Sequence, residues 1–435
     1  MGLIEIGGYY SSLKRGFDEI GVESSLVTIV DHPFKYGGVE TSNRLIRWMK
    51  RAGAKSAATP TSMLPLKLWR AFLFRLLFFA FFIWALLKHD AFIFGQMSSF
   101  YNHRELPILK LFGKKIVHVC HGGDTRPPYV CGAFVSAHED WSIEKWIEFT
   151  RQRKKTIKTI ERYADVFISD LPFAQLAEKP CASFIRVGIP LRPNNIPLRT
   201  DVADHPAAAA VPRIIHCPSD LFVKGTDRIR AAINSLQAKG YQLEYVEISG
   251  QPNQVVLEEI TKSDFVIDQL YSDSPMAGLP TEAAFLGKPS VVGSYAPDMI
   301  RDALGSEATP PSLFCHVDEI EKAIETLLLD KEFRVELGER ARCYVENNWT
   351  PAKVAERFLR IIEGTAPDSW FFDPRACRHV HGGGLPEERA RQMIRNIIEG
   401  GGREALQLSD KPELEALFVE FAYSSTEEIE FVLNA

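Results

Sequence analysis

The sequence predicts an α/β protein with two parallel-sheet domains that face a cleft and a small helical appendage at the C-terminal end. Short apolar, β-rich runs alternate with helical patterns through most of the chain. A Pro- and Ala-rich stretch with little periodicity, residues 191–212, divides this alternation into two halves and is typical of a linker. The 435 residues are also too many for one compact core.

The first domain is expected to cover residues 1–195, and the apolar runs predict where its elements lie. We expect a helix near residues 157–163 and strands near residues 3–6, 25–29, 91–94, 115–118, 166–169 and 183–187.

The second domain is expected to cover residues 196–350 and to repeat the same alternation. A further helix, 351–364, has proline near its first turn and is expected to return toward the first domain. Residues 365–435 combine glycine clusters with acidic helices and are expected to form the appendage. The predicted strands of the second domain are 213–216, 243–249, 265–268 and 290–293, and its helices are 226–238, 254–262, 281–286, 319–328 and 331–347.

Composition narrows the class of protein. A formal charge of −5 argues against a dominant nucleic-acid surface. The 7 cysteines are scattered singly, which favours buried thiols in a reducing compartment over disulfides or a zinc site. Met1 leads into an apolar run without a basic region before it, so no signal peptide is expected. We therefore expect a cytoplasmic protein.

One segment, residues 68–87, is strongly apolar and allows three interpretations. Its uncharged part, 76–87, would form a helix of about 18 Å, against about 30 Å of membrane hydrocarbon. The segment is then a buried helix, a membrane span, or a helix lying in the membrane surface. In the last case lipid phosphates would be met by Lys67, Arg70, Arg75 and Lys88.

Two short motifs lie at the starts of predicted helices in the second domain. Lys224, Gly225 and Thr226 follow a strand and open one helix, and the segment GLPTE, residues 278–282, opens another. Backbone N–H groups at a helix start can hold an anion, and a lysine adds positive charge. Glu282 supplies an acceptor for hydroxyl groups. These are the parts that a nucleotide-sugar site requires.

These residues, in this order, resemble the donor-binding domain of retaining glycosyltransferases with the GT-B fold, the large glycosyltransferase family four. The similar segments are HCPSDLFVKGTD from residue 216, VIDQL from residue 266 and EAAFLGKPSVV from residue 282. The resemblance covers residues 213 to about 363 well and the first 190 residues weakly. It implies two Rossmann-like domains facing a cleft and sugar transfer from a nucleotide-diphosphate sugar, with retention and without a metal or other cofactor.

The resemblance also implies roles for individual residues. Lys224 matches the lysine that contacts the donor diphosphate, and Glu282 matches the glutamate that binds the ribose hydroxyls. His121 matches a histidine near the transferred sugar. The loop Ser249-Gly250-Gln251 is expected beside the nucleobase.

The sequence departs from the family pattern at two positions. Ser219 stands where the family usually has an arginine, and Ser274 stands where it has the first of two glutamates. The GLPTE loop is also one residue shorter than usual. Asp273, or the pair Asp268-Gln269, is expected to take over the contact of the missing acid.

In the first domain, residues at the ends of strands suit contacts to phosphate and sugar. Gly7 and Gly8 let the backbone approach a ligand closely. His121 and Asp124 follow the strand near 115–118 and suit hydrogen bonds to sugar hydroxyls. The segment 98–105 is expected to face the acceptor with exposed side chains.

These arguments together define the predicted site. We expect the catalytic residues to be His121, Asp124 and Lys224. The acceptor, a glycan or a lipid-linked glycan, is expected to contact His103, Arg104 and Arg126. The predicted donor-binding residues are Gly7, Gly8, Ser219, Lys224, Gly225, Thr226, Ser249, Gly250, Gln251, Asp273, Ser274, Met276, Ala277, Gly278, Leu279, Thr281 and Glu282.

The predicted function is that of a hexosyl- or related glycosyltransferase in polysaccharide or cell-envelope synthesis, cytoplasmic or peripheral on the inner face of the membrane. Two alternatives stay open: a nucleotide-sugar 2-epimerase on the same fold, and a subunit that binds a nucleotide sugar without catalysis. A Rossmann dehydrogenase is disfavoured, because no GxGxxG follows a strand with an acidic residue about 20 positions on.

Overall fold

A computed structural model of the chain describes residues 4–28, 43–193 and 211–424. Within these residues the chain forms two parallel-sheet domains that face each other across a cleft, followed by a mainly helical C-terminal region. The predicted α/β class, with two parallel-sheet domains that face a cleft, is therefore confirmed. The boundary expected between residues 195 and 196 lies outside the described residues.

The first sheet contains strands β1 to β4, which pair in parallel in chain order. These short apolar strands are buried on both faces, as parallel strands are. The strands are β1 (Ala91–Gly95), β2 (Lys115–Val119), β3 (Val166–Ser169) and β4 (Cys181–Ser183), and the helices of this half are α1 (Tyr9–Glu19), α2 (Arg44–Ala57), α3 (Leu64–Lys88), α4 (Leu106–Leu111), α5 (Gly132–Ala137), α6 (Ile143–Tyr163) and α7 (Phe184–Val187).

The second sheet has the order β6-β5-β7-β8-β9, with every pair parallel. The strand order reverses at its β5, which opens a crevice at the carboxyl ends of its central strands, where such sheets bind ligands. The strands are β5 (Arg213–His216), β6 (Glu244–Glu247), β7 (Phe265–Ile267), β8 (Ser290–Ser294) and β9 (Leu313–His316), and the helices are α8 (Leu221–Lys224), α9 (Thr226–Ala238), α10 (Asn253–Lys262), α11 (Gly278–Phe285), α12 (Pro297–Leu304), α13 (Ile320–Leu329), α14 (Lys331–Asn348) and α15 (Pro351–Glu363).

Helix α15 packs against α1 of the first domain. The two helices touch at Gly16, where a Cβ atom would overlap the carbonyl oxygen of Pro351. Val354 and Phe358 of α15 are fully buried in an apolar cluster with Leu13 and Phe17 of α1. Full burial of such a side chain stabilises the fold by about 1.5–3 kcal/mol, so this contact ties the end of the second domain to the first.

The C-terminal region contains β10 (Phe371–Phe372), α16 (Glu387–Gly401) and α17 (Pro412–Tyr423). It is not a separate helical unit, because β10 adds an antiparallel strand to β4 of the first sheet. Helix α16 packs on α6, and the Nζ of Lys154 on α6 lies 2.7 Å from the Oδ1 of Asp410. The region therefore shares the core of the N-terminal half.

Three predicted strands were wrong in the described residues. Residues 4–6 form only an isolated β-bridge at Ile4, because the Glu5 carboxylate accepts the N–H groups of Ile6, Tyr10 and Ser11 and directs the chain into α1. Residues 25–28 bury apolar side chains without strand pairing. Residues 184–187 form α7, because the Ser183 hydroxyl accepts the backbone N–H of Arg186 and caps a helical turn.

Two predicted helices were too short. The helix expected at residues 157–163 is the end of α6, which begins at Ile143, where Ser142 caps it. Helix α11 begins at Gly278, three residues before the expected start, because Pro280 is compatible with a first helical turn, where its missing N–H is not needed. The earlier start places Gly278 and Leu279 in the first turn of the helix.

Helix α3 contains the apolar segment for which three interpretations were open. By length and composition alone, residues 61–88 could cross a membrane. The second half of the helix packs into the first domain through Phe78, Phe81, Phe82, Ala85 and Leu86. The first half exposes large apolar side chains, Leu68, Trp69, Phe72, Leu73 and Leu76, and Phe79 just beyond it is exposed as well.

Candidate functional site

A cavity of about 480 Å³ lies between the two domains at the carboxyl ends of both sheets. Its volume falls within the usual range of ligand sites. Its wall combines loops from both domains with a glycine segment of the C-terminal region. The polar and charged side chains that line it include His121, Arg126, Asp170, Ser219, Lys224, Gln251, Asn253, Asp268, Gln269, Ser272, Asp273, Ser274 and Glu282.

Lys224 lines the cavity from the end of α8. Gly225, with a positive φ of 66°, ends α8 and starts α9 in a turn that a side chain could not enter, since a Cβ would lie 2.7 Å from that of Leu270. The Lys224 Nζ donates to the Oδ1 of Asp268 at 3.2 Å and to the Oε1 of Gln269 at 2.9 Å. The ammonium group therefore already has a carboxylate partner.

Glu282 lies in the second turn of α11, because the helix begins three residues earlier than predicted. Its side chain is buried and accepts a hydrogen bond of 2.9 Å from the amide of Asn253. Burial raises the pKa of Glu282 to about 7. Because α11 starts at Gly278, the free N–H groups of its first turn belong to Gly278 and Leu279, which line the cavity.

His121 faces the cavity from the loop after β2. Its Nε2 lies 3.1 Å from the hydroxyl of Tyr10, and its ring packs edge-on against Tyr9 and Phe184, which stack on each other. Burial by these rings lowers the pKa of His121 to about 3, so the imidazole is neutral at physiological pH. It can therefore accept or donate a hydrogen bond without carrying charge.

Asp124 supports this loop but does not line the cavity. Its Oδ2 accepts the backbone N–H of His121 at 2.9 Å. Burial raises the pKa of Asp124 to about 6, against the opposing effects of that hydrogen bond and of Arg153. Its position favours a role in holding His121 over the predicted contact with sugar hydroxyls.

The start of α1 is already occupied by an acid. The Glu5 carboxylate binds the N–H groups of Tyr10 and Ser11, which are among those that a ligand phosphate would use. Gly7 lines the cavity, whereas Gly8 is the N-cap of α1 behind it. A phosphate is therefore more easily held by the second domain than by this turn.

Asp273 is the centre of a buried polar cluster joining both domains and the C-terminal region. It pairs with Arg126, accepts from the Nε2 of His379 at 2.7 Å, and accepts from the N–H of Gly383 at 2.8 Å. Burial would raise the pKa of Asp273, but Arg126 and His379 outweigh burial and lower it. The carboxylate that was expected to hold the sugar is thus committed to protein partners.

The structure brings many of the predicted residues to the cavity but leaves others outside. His103 was expected to be exposed, but it is buried beside the ring of His118, because the turn before α4 folds it inward. Arg104 is exposed and does not line the cavity. Predicted site residues at the cavity are Gly7, His121, Arg126, Ser219, Lys224, Gly250, Gln251, Asp273, Ser274, Ala277, Gly278, Leu279 and Glu282.

The remaining predicted donor residues lie just behind the wall. The Thr226 hydroxyl lies 3.0 Å from the Nε2 of buried His216, and the Thr281 hydroxyl donates to the carbonyl of Ala277. Ser249 donates to the carbonyl of Pro218, and Met276 is fully buried. These side chains shape the loops around the cavity.

Sequence reasoning missed several residues of the wall. Asp170 follows β3, is buried, accepts a bond of 2.6 Å from the Ser183 hydroxyl, and has its pKa raised by burial to about 7. Gly383 and Gly384 enter from a region that was given no role in the site. Their signal in the sequence is the HGGG run at residues 381–384, which lies too far along the chain from the other site residues to be assigned to the cleft.

Among the described residues, no group of three or more His, Cys, Asp or Glu side chains is arranged to hold a metal ion. No protein-family model and no curated protein matches the chain.

Remote structural similarity to solved glycosyltransferases is found. HepE from Anabaena, in complex with UDP-glucose, is 11% identical with a TM-score of 0.39, over 66% of this chain and 82% of that one. WaaG, a glycosyltransferase involved in lipopolysaccharide biosynthesis, is 13% identical with a TM-score of 0.36, over 75% of this chain and 97% of that one. The catalytic domain of starch synthase IV from Arabidopsis thaliana, bound to ADP and acarbose, is 12% identical with a TM-score of 0.40, over 66% and 76%.

Proposed function

We propose that this protein is a glycosyltransferase that moves a sugar from a nucleotide-diphosphate sugar to a glycan or lipid-linked glycan. The observation that carries the proposal is the convergence of Lys224, the start of α11, Glu282 and His121 on one interdomain cavity. These groups come from three separate parts of the fold: α8, α11 and the loop after β2. Each supplies one part of the recognition that such a donor needs.

The second domain would bind the nucleotide diphosphate. Negative charge grows on the leaving diphosphate as the glycosidic bond breaks, and fixed donors stabilise it. Lys224 and the free N–H groups of Gly278 and Leu279 are such donors. The buried carboxylate of Glu282, once ionised, would accept the ribose hydroxyls, and the loop with Gly250 and Gln251 would lie beside the base.

The first domain would hold the sugar and present the acceptor. Neutral His121 would form a hydrogen bond with a sugar hydroxyl. Its ring is held by the Tyr10 hydroxyl, and its backbone N–H is held by the Asp124 carboxylate. The proposed reaction retains the anomeric configuration and uses protein cations in place of a metal. Its acceptor would enter between His121 and the C-terminal glycines.

The proposed location of the enzyme is the cytoplasmic face of a membrane. Residues 43–89 contain no Asp or Glu, and the first half of α3 exposes Trp69 and Phe72. An apolar ridge among cations suits an anionic lipid surface, where each basic residue near the surface adds about 1 kcal/mol of attraction. The cations of this stretch are Arg44, Arg47, Lys50, Arg51, Lys55, Lys67, Arg70, Arg75 and Lys88.

One observation favours a second candidate, a subunit that binds a nucleotide sugar without catalysis. Asp268 neutralises Lys224, and serines stand at positions 219 and 274 where an arginine and a glutamate would supply charge and a sugar contact. Weak stabilisation of a leaving diphosphate would leave a site that binds but does not transfer.

The test is a thermal-shift screen of UDP-, GDP-, ADP- and dTDP-sugars, followed by an assay for released nucleoside diphosphate with the best donor. We expect one donor class to raise the melting temperature of the wild type and not that of Glu282→Gln. Release of nucleoside diphosphate supports the enzyme, and NMR of the product reports the anomeric outcome. Binding without release supports the non-catalytic subunit, free epimerised sugar supports an epimerase, and no response to any donor rejects the proposal.

A further inference from the structure

Residues 379–384 form a segment, here named the glycine clasp, that reaches from the C-terminal region into the cleft. Its base is anchored on the first domain through β10 and through α16 on α6. Its tip bonds the second domain, since the N–H of Gly384 donates to the carbonyl of Tyr271 at 3.0 Å. It also bonds the first domain, since the carbonyl of Gly383 accepts the N–H of Gly132 at 2.9 Å.

From this arrangement we infer that Arg126 is a second anion-binding residue of the cleft, beside Lys224, and that the glycine clasp fixes it there. The inference rests on the proposed function, because the anion would be the diphosphate of the donor. It gives Arg126 a different partner from the acceptor expected from the sequence. It also gives the C-terminal region a part in the site.

The first support is the unsatisfied hydrogen-bonding capacity of Arg126. The guanidinium is fully buried and lines the cavity. Its Nη2 bonds Asp273 and the carbonyl of Pro172, but its Nε and Nη1 have no hydrogen-bond partner among the described residues. Buried donors of a charged group are rarely left unpaired, so a ligand at this position would satisfy them.

The second support is the way in which Asp273 is shared. Its carboxylate takes one donor from Arg126 and two from the clasp, the His379 ring and the Gly383 N–H. The clasp therefore supplies part of the hydrogen bonding that a buried carboxylate needs. Arg126 commits only one of its three nitrogens to Asp273, and the other two have no hydrogen-bond partner among the described residues.

The third support is the tight fit of the clasp between Arg126 and the turn that carries Lys224. A Cβ on Gly383 would lie 2.7 Å from the Nη1 of Arg126, and one on Gly384 would overlap Val223, the neighbour of Lys224. The Arg126 guanidinium and the turn carrying Lys224 therefore contact two consecutive residues of the clasp. The Cα atoms of consecutive residues are about 3.8 Å apart. Only glycines, at φ values of 53° and 77°, fit there.

This assignment explains how a site with Ser219 could still hold two phosphates. Lys224 is paired with Asp268, and the usual second cation of the same loop is absent. Arg126 would supply that cation from the opposite domain. Because Arg126 and Lys224 belong to different domains, a diphosphate bound by both would also hold the cleft closed.

The test measures binding of UDP and of inorganic pyrophosphate by calorimetry to the full-length protein. Arg126→Lys keeps the charge that Asp273 needs but loses the guanidinium donors, and we expect both ligands to bind about tenfold more weakly. The matched control is Arg334→Lys, since Arg334 is equally a buried arginine but bonds the carbonyl of Leu327 away from the cleft. The control should bind as the wild type does.

A second pair of variants tests the position of the Arg126 side chain while the arginine itself is kept. Gly383→Ala and Gly364→Ala both place a side chain at positive φ, but only the first meets Arg126, since nothing lies within 4 Å of a Cβ on Gly364. We expect weaker UDP and pyrophosphate binding for Gly383→Ala alone, with both variants folded by circular dichroism.

The outcomes separate this inference from the proposed function. If the wild type binds UDP and both Arg126→Lys and Gly383→Ala bind it equally well, the inference is overturned and the proposed function stands. If the wild type binds pyrophosphate through Arg126 but no nucleoside diphosphate or nucleotide sugar, an anion site remains and the proposed function falls. If it binds neither ligand, both are rejected.

Discussion

The Nζ of Lys224 lies 3.2 Å from the Oδ1 of Asp268, so the cation expected to meet a diphosphate carries its own counter-ion within the protein. Asp268 is 1% exposed, and its second oxygen has no hydrogen-bond partner among the described residues. The pair therefore bears on stability and, under the proposed function, also on ligand binding. Variants at these two positions can separate the two contributions.

Lys224→Met is expected to lower the free energy of unfolding by about 1–3 kcal/mol, because it leaves a buried carboxylate without its cation. Adding Asp268→Asn should restore most of that loss in urea denaturation. UDP binding, followed by calorimetry, should be lost in both the single and the double variant. A double variant no more stable than Lys224→Met would mean that Asp268 does not depend on this lysine.

Glu282 predicts a specific dependence of stability on pH. Burial raises its folded pKa from 4.5 to about 7, so the folded state keeps a proton that the unfolded state has lost. Stability from this group is full below pH 4.5 and is lost as pH rises toward 7, by up to about 3 kcal/mol. Glu282→Gln keeps an acceptor for Asn253 but cannot titrate.

We expect the difference in unfolding free energy between Glu282→Gln and the wild type to grow in favour of the variant between pH 4.5 and 7. Other buried acids, such as Asp124 and Asp170, are present in both proteins and cancel in the comparison. Parallel curves across this range would show that Glu282 ionises normally in the folded protein.

Gly16→Ala is expected to destabilise the protein although it lies within a helix. Alanine would normally stabilise a helix interior by about 1 kcal/mol relative to glycine. Here its Cβ would overlap the Pro351 carbonyl of α15, and separating two packed helices costs about 1–3 kcal/mol or more. Thermal unfolding should show a lower melting temperature, whereas Ser12→Ala on the same helix should change it little. A higher melting temperature for Gly16→Ala would contradict the close packing of α1 on α15.

The exposed ridge of α3 predicts binding to anionic membranes. Trp69→Ser with Phe72→Ser should reduce co-sedimentation with vesicles containing phosphatidylglycerol several-fold, because two large apolar side chains are lost from the lipid-facing surface. The matched control is Leu111→Ser with Phe112→Ser, a similarly exposed apolar pair after α4. An equal loss of co-sedimentation in both double variants would indicate nonspecific hydrophobic adsorption. No loss in either would place the membrane contact elsewhere.

Local patterns predicted the second domain better than the first. Strands β5, β7 and β8 and helices α9 and α10 follow apolar runs whose length and flanking turns are sufficient to indicate them. The segments 4–6 and 25–28 have the same apolar character, but Glu5 caps α1 and side-chain burial replaces strand pairing. Apolar periodicity indicates that a segment is buried, and not which partner its backbone will find.

The candidate site shows the same division. Lys224, Gly278, Leu279 and Glu282 could be expected at the cavity from sequence, because each lies beside a turn that opens a helix after a buried strand. The ion pair of Arg126 with Asp273 could not, since the two residues are 147 positions apart and nothing local links them.

The sequence by itself therefore determined the α/β class, the two domains and the set of loops that meet at the cleft, because those follow from short-range patterns and from the geometry of parallel sheets. Only the tertiary structure decided which charges in the cleft are already neutralised and which remain available. It also decided that the C-terminal glycines enter the site. The physical reason is that ion pairing, burial and close backbone approach depend on distances between residues far apart in the chain.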